Sequence, residues 1–231
     1  MTGIGRIGLV GRLRPLPAWF DVDMAAGLMG CTRGDALTYI HRWKKAQLIR
    51  PLSRERRYGV YFNLLNDTSS PQRCLFQALG HLVGGRLIRV GASALNAAGC
   101  TTQSPARPEL AFMVSRGHAS VPILDQAALL PRSPRWFGKL AAASTDAGYD
   151  NLMDAPPEMA IADALLAEHR NLGSAGERPL AWTGFGGDLD PDAVEENFGG
   201  IIACLESLGA SADEIQILSA RIAREDRRFS R

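Results

Sequence analysis

No stretch of about 18 uninterrupted apolar residues occurs in the 231-residue chain, so no membrane-spanning helix is expected. The first 17 residues carry Arg6, Arg12 and Arg14 among their apolar positions and lack the unbroken apolar run of a signal peptide. Four cysteines (Cys31, Cys74, Cys100, Cys204) are scattered without CxxC spacing. That pattern excludes a disulfide scaffold and a zinc site, and fits reduced thiols in a cytoplasmic protein. Internal repeats and low-complexity tracts are absent. A GxSxG elbow, a P-loop and an H-x-E…C-x-x-C pattern are missing too. The expectation is therefore a protein that is not an enzyme, with no catalytic residues, no cofactor and no metal.

An excess of charge of one sign is also lacking, since the whole chain nets only +2. The distribution is not neutral, however. Residues 1–66 hold 11 Lys/Arg against 4 Asp/Glu, a net of +7. Residues 67–231 hold 15 against 20, a net of −5. An asymmetry of this kind points to a polyanionic partner for the basic segment. The sign changes at Asn66-Asp67-Thr68-Ser69-Ser70-Pro71, a polar stretch of linker composition. Two domains are predicted, 1–66 and 67–231.

The basic segment reads compactly. A short glycine-weakened helix is expected near 4–14. Asp21 or Asp23 can cap a second helix over 24–29, and Gly30-Cys31 makes a tight turn. Thr32 caps a third helix, with Asp35 at the capping-box position. On that helix Ala36, Ile40, Trp43 and Gln47 share one face, with Leu37 at its edge. Gly34, Thr38, His41, Arg42 and Lys45 share the opposite face. Strand-like runs at 48–52 and 57–62 flank Ser53-Arg54-Glu55-Arg56, a hairpin with a basic tip.

Helix, turn, helix and basic hairpin is the order of a winged helix-turn-helix. Its third helix would enter a major groove of double-stranded DNA, with Thr38, His41 and Arg42 at base edges. Thr32 and Arg33 at its start join the candidate DNA-binding set. Lys44, Lys45, Arg54, Arg56 and Arg57 suit phosphates. Beyond residue 66 the pattern mixes helix (72–83, 93–98, 157–168, 191–208, 212–225) with strand (86–90, 110–114, 119–124). The fold class is thus α+β: an N-terminal winged helix-turn-helix followed by a mixed α/β C-terminal domain.

Two motifs tempt and fail. Gly3-Ile4-Gly5-Arg6-Ile7-Gly8 matches GxGxxG, but a dinucleotide fold needs a strand before those glycines and only two residues precede Gly3. Asp188-Leu189-Asp190-Pro191-Asp192 suggests a calcium loop. An EF-hand requires Gly and Glu where Ala193 and Gly199 stand, so Asp190 reads better as a helix cap with Pro191 at the first position. His41, His81, His118 and His169 have no metal-ligand spacing.

The run from Arg86 to Pro105, RLIRVGASALNAAGCTTQSP, resembles the SALxxxGLTxQxP segment of the abortive-infection AbiE-type antitoxins. Pro157-Glu158-Met159-Ala160-Ile161-Ala162-Asp163-Ala164-Leu165 resembles the PExALADAL helix of the same family. The likeness spans about residues 20–170, and Cys100 stands where that family has Leu. It implies the antitoxin of a type IV toxin–antitoxin system: a transcriptional repressor that binds inverted repeats in its own promoter. Its second domain would counter a nucleotidyltransferase-like toxin. The resemblance is to the antitoxin and not to the toxin. The alternative is a protein-interaction module, or a transcriptional regulator without antitoxin activity.

Overall fold

The computed structural model describes residues 3–53, 59–66, 70–101, 105–114, 124–170 and 191–229. They form an α+β protein in two compact units, Met1–Gly84 with Pro122–Leu124, and Gly85–Val121 with Asp125–Arg231. No described helix is long and apolar enough to cross a membrane.

The first unit begins with α1 (Gly3–Leu13), β1 (Trp19–Asp21), α2 (Val22–Met29) and α3 (Arg33–Lys45). The Gly3–Gly8 motif thus lies inside a helix rather than in a strand-to-helix loop. Asp21 caps α2 by accepting from the Met24 amide at 2.7 Å. Gly30, at φ 62°, closes α2 in the left-handed conformation that glycine adopts without penalty. Then come β2 (Ile49–Pro51), β3 (Val60–Asn63) and α4 (Pro71–Val83). The strands make an antiparallel sheet of order β1-β3-β2, with Phe20 opposite Tyr61 and Arg50 opposite Phe62. Sequence patterning shows the hairpin but not β1, which is three residues long. Residues 54–58, the expected basic tip, lie outside the described residues.

Trp43, Phe20, Leu13 and Leu16 are fully buried and centre this unit's core. Phe20 meets Trp43 edge-on, with ring centroids 6.1 Å apart. Asn63, also buried, donates to the Leu13 and Leu16 carbonyls at 3.1 and 2.9 Å. It thereby satisfies the end of α1, where helical carbonyls lack partners.

Although 66/67 is the expected boundary, α4 falls in the first unit. His81 on α4 meets the Asp21 carboxylate at 2.7 Å, and its ring lies 5.0 Å from that of Trp19. These contacts tie α4 to β1.

The second unit carries β4 (Leu87–Arg89), α5 (Gly91–Ala97), β5 (Glu109–Met113), β6 (Ala128–Arg132), α6 (Pro134–Ala143), β7 (Thr145–Tyr149), β8 (Leu152–Asp154), α7 (Pro157–His169), α8 (Pro191–Leu208) and α9 (Ala212–Phe229). Its five-stranded mixed sheet has the order β6-β5-β4-β8-β7. The β4–β8 and β5–β6 pairs are parallel; β4–β5 and β7–β8 are antiparallel. Of the strand expected at 119–124, residues 119–123 lie outside the described set and Leu124 is not in a strand.

Helix α7 is the axis of this unit. Met159, Ala160, Ile161, Ala162, Leu165, Leu166 and Ala167 are all buried. Helices α5, α8 and α9 pack against it, joined by Ile201, Leu205, Leu218 and Ile222. A helix apolar all round belongs inside a protein, and the small alanines let its neighbours approach.

Candidate nucleic-acid interface

Helix α3 is built to hold one face in and one face out. Thr32 caps it by accepting from the Asp35 amide at 3.2 Å, while its own hydroxyl donates to the Asp35 carboxylate at 2.7 Å. Ala36, Ile40 and Trp43 are buried. The Trp43 Nε1 donates to the Leu9 carbonyl at 2.9 Å, which anchors α3 to α1. Gly34, Thr38, His41, Arg42 and Lys45 are exposed, as is Lys44.

Gln47 departs from the predicted buried face, because the helix stops before reaching it. Gln47 sits at φ 56°. Its amide donates to Lys44 O at 3.1 Å, and the Leu48 amide donates to Trp43 O at 3.0 Å. This is the Schellman closure. It swings Gln47 into solvent and turns Leu48 into the core. Leu37 is nearly half exposed, so the α3 surface is not wholly polar.

The candidate residues differ in how free they are. Thr32 is committed to capping. Arg33 donates from Nη1 to both Asp23 carboxylate oxygens, at 2.8 and 3.0 Å. The Thr38 hydroxyl donates to Gly34 O at 3.1 Å, so its proton is spent within the helix. Among the described residues, no carboxylate pairs with Arg42, Lys44 or Lys45. These three fall in the last turn of α3, where they also complement the negative end of the helix dipole. Arg54, Arg56 and Arg57 lie outside the described residues.

Sequence patterning overlooks Arg12 and Tyr39. The Arg12 guanidinium carbon lies 5.7 Å from the Tyr39 ring centroid, a cation–π distance. Arg50 lies similarly over Phe62, at 5.5 Å. Aromatic residues at helix spacing read as core from sequence, and only the fold brings α1 against α3.

The residues behind the family resemblance are mostly structural. Ser93 Oγ accepts from the Glu109 amide at 2.8 Å, and Glu109 in turn accepts from the Ala92 amide at 2.8 Å. Gly91, at φ 54°, leaves room for that carboxylate; a Cβ there would collide with it. Asn96 donates to Thr101 O at 3.1 Å. Asp163 is buried and bonded to Arg132 and Trp136. The 188–192 acids lie outside the described residues, and no metal-binding cluster occurs among those described. The cysteines are free. Burial pushes the thiols of Cys74, Cys100 and Cys204 up, and Glu158 adds to the last two.

No family model matches the chain, and no curated protein matches it. Among solved structures it is similar to the crystal structure of the RV2827C protein from Mycobacterium tuberculosis. That match has 15% identity and a TM-score of 0.47, and covers 96% of this chain and 82% of that one.

Proposed function

We propose that this protein is a sequence-specific DNA-binding repressor whose first unit is a winged helix-turn-helix. The observation that carries the reading is the outer face of α3. It combines hydrogen-bonding His41 with the exposed cations Arg42, Lys44 and Lys45, unpaired among the described residues, on a helix locked from behind by Trp43. Arg42 and His41 would read base edges, and Thr38 would accept hydrogen bonds. Lys44 and Lys45 would hold phosphates. The charge split supports the same reading. Moving the boundary to Gly84 adds only Arg73 and Asp67, so the first unit still nets +7.

Autoregulation of a promoter bearing inverted repeats, and antitoxin action of the second unit against a nucleotidyltransferase-like toxin, are the further parts of the proposal. They rest on the AbiE-type resemblance alone. The buried roles of Ser93 and Asp163 mean that antitoxin action would have to come from other residues.

Binding of the full chain to a fragment of its own promoter, measured across a salt series, tests the DNA reading. Affinity should fall steeply as salt rises, and Arg42→Ala with Lys45→Ala should weaken binding and flatten the slope by about one to two units. Binding indifferent to salt, or unchanged in the double variant, would refute it. Growth rescue on co-expression with a nucleotidyltransferase-like toxin tests the antitoxin part separately.

A further inference from the structure

We infer that α1 adds a phosphate-binding arginine, Arg12, to the α3 face, held in place by Tyr39. This rests on the DNA-binding reading and extends its footprint to a second helix. Arg12 is exposed, and its guanidinium lies 5.7 Å from the Tyr39 ring centroid. The platform beneath it is rigid. Tyr39 is half-buried, with its ring 5.7 Å from that of fully buried Trp43. Trp43 is itself bonded to Leu9 O on α1, one turn before Arg12. The stack therefore ties both helices to one position.

Tyr39 and Arg42 are three apart on α3 and so neighbour each other on its surface. Arg12, Tyr39 and Arg42 form a continuous stripe along the edge of the proposed DNA face. Asp35, four residues before Tyr39, is the acid on that stripe, and its carboxylate is engaged by the Thr32 hydroxyl. Among the described residues no acid pairs with Arg12. A guanidinium held over a ring at this distance still has its N–H donors free to meet a ligand. Its planar edge matches the two non-bridging oxygens of a backbone phosphate, which it can bind bidentately. The partner is duplex DNA through its phosphates, and the contact carries no sequence information.

The test uses the full chain and a fluorescein-labelled random-sequence duplex, with Kd measured at several salt concentrations. Arg12→Ala should lower the slope of log K against log salt by about 0.9 and weaken binding about fivefold at low salt. Arg12→Lys should keep the slope, since the charge remains, yet bind less tightly than the parent. Tyr39→Leu should also keep the slope and lose affinity, because the charge survives without its platform. Thermal melts of each variant check that the fold is retained. A parent that binds with normal salt dependence beside an Arg12→Ala protein of unchanged slope and affinity would overturn the role of Arg12 alone. A parent that binds no duplex at any salt would overturn the DNA reading itself.

Discussion

Asp163 places a carboxylate among apolar side chains, with only 1% of its side chain exposed. An ion there is costly unless its lone pairs are filled. Three donors fill them: Arg132 Nε at 2.8 Å, Arg132 Nη2 at 2.7 Å and Trp136 Nε1 at 2.7 Å. Arg132, 2% exposed, spends Nη1 on the Pro131 carbonyl and lies over the Trp136 ring. Strand β6, helix α6 and helix α7 are thus joined at one buried point. Asp163→Ala would leave a guanidinium buried without its counter-ion, at a cost of about 3–5 kcal/mol. Urea unfolding should show that loss as a lower midpoint. Asp163→Leu combined with Arg132→Met should recover most of it, because a matched apolar pair has no uncompensated charge. A single variant as stable as the parent would mean that the pair contributes nothing. Sequence could not reveal this role. Asp163 stands between alanines on a helix, and its partner lies 31 residues away on a strand that patterning does not find.

At the scale of elements, legibility followed burial. Helices α2, α3 and α4, each with a capping side chain, were readable, as were α7 from its apolar run after Pro157 and the closing pair α8 and α9; α6, though capped by Ser133, was not. The third helix was legible down to its buried face, because Thr32, Ala36, Ile40 and Trp43 state it in local terms. Strands β1, β6, β7 and β8 were not; the first three lie at the edge of their sheets, while β8 is central but only three residues long. Edge strands need satisfy only one neighbour, so they tolerate what central strands cannot. Pro131 interrupts β6, and Gly148 sits in a mostly exposed β7. The candidate face was legible for the same reason as α3 itself, whereas Arg12 needed the tertiary packing of α1. The end of α3 was misread, and the cause is testable. Gln47 occupies a left-handed position that favours glycine. Gln47→Gly removes the Cβ strain there while keeping both closing hydrogen bonds. The substitution should stabilise the protein by up to about 1 kcal/mol, read as a higher melting temperature with DNA affinity unchanged. A destabilised variant would show that the glutamine side chain contributes more than the backbone strain costs.

At the scale of the whole chain, charge sets the response to acid. Residues 1–84 are net basic and residues 85–231 net acidic at neutral pH, so lowering the pH changes the second unit most. Its acids do not act alike. Arg170 donates to both oxygens of Glu214, each at 2.7 Å, and the Ser211 amide adds a third bond at 2.8 Å. These donors hold the Glu214 carboxyl down at about 2, against an ordinary value of 4.5. Asp154 runs the other way: burial raises its pKa despite Arg89 at 3.3 Å. For Glu214 the folded state holds its proton less tightly than the unfolded state. Its contribution is therefore complete above the ordinary carboxylate range and disappears as pH falls from about 4.5 to about 2. For Asp154 ionisation costs stability, and that cost is relieved on acidification. A partly exposed pair such as Arg170–Glu214 is worth about 1 kcal/mol. Chemical unfolding of the parent and Glu214→Gln, compared between pH 7 and pH 2, isolates it. The parent should be the more stable by about that amount at pH 7, and the gap should close as pH approaches 2. A gap that stays constant across the range would mean that the loss in Glu214→Gln comes from packing and not from the charge on Glu214.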